Sequence, residues 1–140
     1  MKLNESDIEK IQDYFASQKD VVVVYLYGSF ASGTPHQGSD LDIAVLFNGE
    51  VDLYRRLGKL YSEFPKLSLK AEPEIREISL KESPVFLMNV IQGENIYSED
   101  ETKRIEFEVA VMREFFDTQR LRDIDYDYMK KRIREGTYGY

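Results

Sequence analysis

From Val21 to Tyr27 the chain reads VVVVYLY, β-branched or aromatic at almost every position. That pattern fits a strand covered on both faces. Gly28-Ser29 ends it. A second hydrophobic run extends to Phe47, and its period of two puts Asp40 and Asp42 on one face and Leu41, Ile43 and Val45 on the other. Upstream, Ser6-Asp7-Ile8-Glu9 has the form of a capping box with Ser6 as N-cap, and Ile8, Ile11 and Phe15 then recur at helical spacing through about Ser17. Downstream of Asn48-Gly49, Leu53, Leu57, Leu60, Tyr61 and Phe64 share one face of a helix that ends before Pro65. After Pro73, Glu74 to Leu80 alternates as a third strand. Ser83 is placed to cap a helix begun by Pro84, with Val85, Met88 and Ile91 turned inward and Gly93 as its stop. Glu94 to Tyr97 reads as a last short strand. The fold class expected is α+β: a small mixed sheet with helices packed on it, followed by C-terminal helices.

From Glu101 the pattern changes. Ile105, Val109, Met112 and Phe116 form one helical stripe, and Leu121, Ile124, Met129 and Ile133 continue the apolar series. One helix of that length exceeds what a small domain needs, so a break is expected near Asp117-Thr118. Phe107, Val111 and Phe115 lie off the stripe, which makes the segment apolar on more than one side. Such a helix is either deeply buried or meets another protein. Tyr126, Tyr128, Tyr138 and Tyr140 add an aromatic character common at protein interfaces.

A chain of 140 residues suits one domain with one substantial core. We divide it into a catalytic sheet-and-helix core over 1–98 and C-terminal helices over 99–140. There is no cysteine, hence no disulfide framework and no thiolate metal site. A net charge of -7 argues against direct nucleic-acid binding, which needs a basic surface. The Lys and Arg residues near the C-terminus are interleaved with Asp and Glu and read as a solvated helix face. No apolar run is long enough for a bilayer, and MKLNESDIEK lacks a signal-peptide core, so no membrane association and a cytoplasmic location are expected.

The chemistry concentrates between the first two strands. Two carboxylates projecting side by side at Asp40 and Asp42 repel each other, and a divalent cation removes that repulsion. Mg²⁺ favours sites made of a few carboxylates plus phosphate oxygens. Gly28 lets the backbone approach a ligand closely. Ser29 offers a hydroxyl and an amide at the start of a short helical turn, Ser29 to Ser32, which would face a triphosphate before Gly33-Thr34-Pro35 breaks it. His36, the single histidine, reads as an exposed loop residue rather than a general base, since nothing in the sequence fixes its orientation.

Gly28-Ser29, ten intervening residues and Asp40-Leu41-Asp42 resemble the GS-x10-DxD signature of the polymerase β-like nucleotidyltransferases. The short chain and its strand–GSFASGT–strand context resemble the minimal nucleotidyltransferases (MNT), the MntA-type antitoxins paired with HEPN toxins. The resemblance implies Mg²⁺ held by Asp40 and Asp42, and ATP bound as substrate at Gly28 and Ser29. It also implies transfer of AMP to a tyrosine of a cognate HEPN ribonuclease. A third carboxylate usually comes from the third strand. The family's spacing relative to Leu80 and Ser83-Pro84 puts Arg76 at that position. Glu74 shares its strand parity and is the candidate third metal ligand, while Glu77 faces the other way. The third acid is therefore Glu74, Glu77 or absent. Two other activities share the motif: transfer of a nucleotide to a small molecule of the aminoglycoside type, and a catalytically inert antitoxin that masks its toxin by contact.

Overall fold

The computed structural model describes residues 4–28, 41–69 and 71–134. Within them the chain runs α1 (Glu5–Ala16), β1 (Val21–Tyr27), β2 (Leu41–Phe47), α2 (Leu53–Glu63), a 3-10 turn (Phe64–Leu67), β3 (Pro73–Glu77), α3 (Pro84–Ile91), β4 (Glu94–Ser98) and α4 (Glu101–Arg134). The four strands form one sheet in the order β3-β2-β1-β4. β1 is antiparallel to β2 and β4, and β2 is parallel to β3, so the sheet is mixed as expected.

The two central strands carry the core. β1 is buried from Val21 to Leu26, and a register shift between Val21 and Val23 distributes its side chains over both faces. Val21, Val24 and Leu26 join Leu41, Ile43 and Val45 of β2 against Ile11 and Phe15 of α1 and Leu60 and Phe64 at the end of α2. On the opposite face Val22, Val23 and Tyr25 meet Ala44, then Leu87 and Val90 of α3 and Phe107 and Val111 of α4. β3 lies at an edge, where its outer backbone groups lack a strand partner. Tyr61 supplies one: its hydroxyl accepts from the Ile75 amide at 2.7 Å and donates to the Ile75 carbonyl at 3.3 Å.

Several local expectations need correction. The N-cap of α1 is Asn4, whose side-chain oxygen accepts from the Asp7 amide at 2.8 Å, so Ser6 sits inside the first turn. Both residues are good caps, and the competition between them is not decided by type alone. β3 stops at Glu77, short of Leu80. In α3 Leu87 and Val90 are buried and Ile91 packs against the same cluster as expected, whereas Val85 is 50% exposed. That helix is apolar at nearly every position, so periodicity alone does not select a face. It ends at Ile91, with Gln92 as its C-cap. Gly93 serves a different purpose, because a Cβ there would run into the Leu26 carbonyl oxygen and lie 3.1 Å from the Tyr27 Cα.

The break expected near Asp117-Thr118 is absent, and α4 is one helix of 34 residues, roughly 50 Å long at 1.5 Å per residue. Thr118 keeps its hydroxyl inside the helix, donating to the Glu114 carbonyl at 2.9 Å, and so does not interrupt it. The first turns of α4 are anchored to the sheet. Besides Phe107 and Val111, the buried Tyr25 donates its hydroxyl to Glu108 Oε2 at 2.7 Å, and Arg104 donates to the same oxygen at 3.0 Å. Burial first, and then the hydrogen bond to Glu108, push the Tyr25 phenol far above its ordinary range, so it stays a donor. The dominant stripe faces away from the sheet: Ile105, Val109, Met112 and Phe116 are 51%, 41%, 37% and 61% exposed. Leu121, Ile124, Met129 and Ile133 are exposed as well.

Because the atoms that Gly93 would strike belong to the backbone, they cannot rotate aside. Gly93→Ala is expected to destabilise the fold by on the order of 2 kcal/mol, as overpacked sites do. A thermal melt checks this, and an unchanged Tm would contradict the close approach.

Candidate active site

β1 ends where β2 begins, and their antiparallel register sets Tyr27 opposite Asp42. On the other side of β2 the parallel register sets Glu74 opposite Asp42 and Arg76 opposite Ala44. Residues paired across neighbouring strands project from the same face. Tyr27, Asp42 and Glu74 therefore form a row across three strands, on the face that carries α3 and α4. Leu26, Leu41, Ile43 and Ile75 fill the opposite face, and their burial locks the parity. A slip of one residue would send the carboxylates into the core.

Gly28 closes one end of the row. Its φ of 76° lies in the left-handed region, and a Cβ at that position would stand 2.5 Å from Asp42 Oδ2. Only glycine leaves the carboxylate where it is. The residue is thus fixed twice, by backbone conformation and by the space that Asp42 occupies.

Charges converge on Tyr27. Its phenol is raised above its ordinary pKa, first by burial, then by the negative charge of Asp42; Arg76 partly opposes this, and Glu74 and Tyr61 add to it. The hydroxyl stays protonated and available as a donor beside the acidic row. Arg76 is engaged on the α3 side. Its guanidinium carbon lies 3.9 Å from the centre of the Phe86 ring, and its Nη2 donates to Glu82 Oε2 at 3.0 Å. Phe86 in turn meets Tyr27 edge to face, with ring centres 5.8 Å apart.

The structure brings Gly28, Asp42 and Glu74 together. Glu77 pairs with Val45, whose side chain belongs to the core on the other face, so Glu77 is not beside Asp42. The third strand therefore sets Glu74, not Arg76, level with Asp42, and Arg76 lies two pairs further along, opposite Ala44. Asp40, Ser29, His36 and the Ser29 to Ser32 turn lie outside the described residues. So do Tyr138 and Tyr140. Among the described residues no group of three His, Cys, Asp or Glu side chains is assembled to hold a metal. Two oxygen-donor side chains, Asp42 and Glu74, paired across β2 and β3 at one end of the sheet, nevertheless suit a hard cation such as Mg²⁺.

Sequence reasoning did not single out Tyr27, Phe86 or the edge-capping role of Tyr61. Tyr27 carried a signal, since it stands directly before Gly28 at the parity of the strand face. Phe86 carried none, because every residue near it in α3 is equally apolar.

A family model described as polymerase beta nucleotidyltransferase matches residues 9–102. The protein adenylyltransferase MntA of Shewanella oneidensis (strain MR-1) is 28% identical over 99 residues, which are 69% of this chain and 61% of that protein. This chain thus spans less than two thirds of that relative in sequence. Among solved structures, a toxin–antitoxin complex with AMP-PNP contains a chain that superposes with a TM-score of 0.65 at 22% identity, covering 87% of this chain and 98% of that one. A complex of tri-AMPylated Shewanella oneidensis HEPN toxin with MNT antitoxin gives a TM-score of 0.65 at 19% identity, covering 89% and 96%. At these identities the solved structures show a shared fold. The family match spans the sheet, both of its helical layers and the entry to α4, and the chain belongs to the polymerase beta nucleotidyltransferase family.

Proposed function

We propose that this chain is an antitoxin acting as a protein adenylyltransferase, which moves AMP from ATP onto a tyrosine hydroxyl of a HEPN-family ribonuclease toxin and so silences it. The observation that carries the reading is the alignment of Asp42 and Glu74 beside the Gly28 turn in a nucleotidyltransferase domain. The likeness to a relative named protein adenylyltransferase supports the reaction. The likeness of fold to a chain of a complex between a tri-AMPylated HEPN toxin and an MNT antitoxin supports the acceptor. None of the described helices is long and apolar enough to cross a membrane. We place the reaction in the cytoplasm, with no direct nucleic-acid partner.

Asp40, Asp42 and Glu74 would hold Mg²⁺, which when bound neutralises triphosphate charge and favours in-line displacement at the α-phosphorus. The absence of a side chain at Gly28 would let the backbone of the turn approach the β- and γ-phosphates beside Asp42, and Ser29 would add its hydroxyl. The Glu74 carboxylate takes the proton from the attacking tyrosine hydroxyl as the new phosphorus–oxygen bond forms and pyrophosphate leaves. Tyr27, held protonated by burial and by the charge of Asp42, stands beside the acidic row without adding to its negative charge. Catalysis of this kind is positioning and charge stabilisation, so few residues suffice.

We keep, as part of this proposal, the division into a catalytic core over 1–98 and a C-terminal helical part over 99–140, with the exposed parts of α4 facing the partner. Its first turns belong to the sheet, while its outward stripe and its distal half offer exposed apolar surface that none of the described residues covers. A toxin bound there would be brought to the same face of the sheet as the acidic row.

With labelled ATP, Mg²⁺ and a HEPN-family toxin, Asp42→Asn and Glu74→Gln should each lower AMP transfer by about a hundredfold or more, a barrier increase near 2.7 kcal/mol, with Tm unchanged. Retention of wild-type rate by Glu74→Gln would remove Glu74 from the site, and silencing that persists in both variants without label would favour masking by contact alone. Gly28→Ala adds a side chain at positive φ and against Asp42; it should reduce transfer at least tenfold while costing about 1 kcal/mol of stability. An Ala variant of normal activity would show that ATP does not use this space. Ile105→Glu with Phe116→Glu alters only exposed positions, and should weaken toxin binding by about tenfold or more, or 1.4 kcal/mol, without lowering Tm. Unchanged binding in a titration would place the partner elsewhere.

A further inference from the structure

We propose that Arg76, stacked on Phe86, is the platform on which the acceptor tyrosine lies, so that the acceptor subsite occupies the α3 side of the acidic row. This rests on the adenylyltransferase reading above and deepens it. Arg76 follows Glu74 at the same strand parity, about 6–7 Å along the strand at 3.3 Å per residue. That span is close to the length of a phenol ring with its hydroxyl. A tyrosine lying over Arg76 would therefore extend its oxygen to Glu74, the group that takes its proton.

The guanidinium is built to receive a ring. One face is covered by Phe86 at 3.9 Å, and the plane is steadied by the 3.0 Å hydrogen bond to Glu82. The side chain remains 49% exposed, which leaves its other face open. Guanidinium planes stack on aromatic rings, and sandwiching between two rings reinforces the contact. Phe86 is itself braced by Tyr27, whose strand leads into the Gly28 turn, so the platform and the nucleotide end share one support. The positive charge also selects. It repels a cationic aminoglycoside and stabilises negative charge growing on a phenolic oxygen. The tyrosine oxygen forms its bond to the α-phosphorus of ATP, its proton passes to Glu74, and pyrophosphate departs with the bonding pair.

Steady-state kinetics with ATP and the HEPN-family toxin, varied independently, test the assignment. Arg76→Ala should raise the KM for toxin roughly tenfold, within the range of a lost cation–π contact, and leave the KM for ATP unchanged. Arg76→Lys keeps the charge and the reach to Glu82 but loses the planar stack. It should resemble Arg76→Ala in its toxin KM and wild type in its Tm. Restoration of the toxin KM by Lys would reduce Arg76 to a structural strut and overturn the platform. An unchanged toxin KM in Arg76→Ala, or a rise in the KM for ATP instead, would overturn it equally. Wild-type enzyme that places no AMP on any tyrosine of the toxin would remove the parent reading, and this one with it.

Discussion

The structure depends on the fixed parity of β2. One face of that strand is committed to the core by Leu41, Ile43, Val45 and Phe47, all buried, and the strand has no freedom to slip. Its first residue on the other face is Asp42. Hydrophobic burial on one side thus sets a carboxylate on the other, in a position that flanking strands then define. β1 delivers Tyr27 and the Gly28 turn to it from one side, and β3 delivers Glu74 from the other. Neither carboxylate needs to be bought with its own network of supports, because backbone pairing does the positioning. The edge strand is the weak member, and Tyr61 secures it through the Ile75 backbone next to Glu74.

Much of this arrangement was legible in the chain. Val21 to Tyr27 is so uniformly suited to a covered strand that its place at the centre follows, and the alternation from Leu41 to Phe47 separates carboxylates from core without reference to any fold. The parity of Glu74 was also readable. What the sequence could not supply was register between strands far apart in the chain. Spacing counted from Leu80 and Ser83-Pro84 pointed to Arg76, but β3 ends at Glu77 and the connection to α3 includes residues that no periodicity aligns. Pairing with β2 makes Glu74 the level residue. Near-uniform segments hid their faces for the same reason. α3 is apolar almost throughout, so the choice of Leu87 and Val90 over Val85 belongs to the sheet and not to the helix.

α4 shows the limit of reasoning from stripes. Its strongest periodic set points away from the domain, and the sheet takes the lesser set of Phe107 and Val111, helped by the polar pairing of Tyr25, Glu108 and Arg104. A helix apolar on several sides can serve two surfaces, and among the described residues only the sheet-facing one is covered. The outward stripe and the acidic row stand on the same face of one sheet. Under the proposed function, anchoring a partner and acting on it would be tied to a single support.

In the proposed mechanism Asp42 and Glu74 share one metal beside the Gly28 turn. That sharing is tested most directly by anomalous diffraction from crystals grown with Mn²⁺ and a non-hydrolysable ATP analogue. The account predicts an anomalous peak within coordination distance of both carboxylates, about 2–2.5 Å as for oxygen ligands of hard divalent ions, with the triphosphate against Gly28. A metal bound with nucleotide but out of reach of Glu74, or a triphosphate lying away from Gly28, would contradict it.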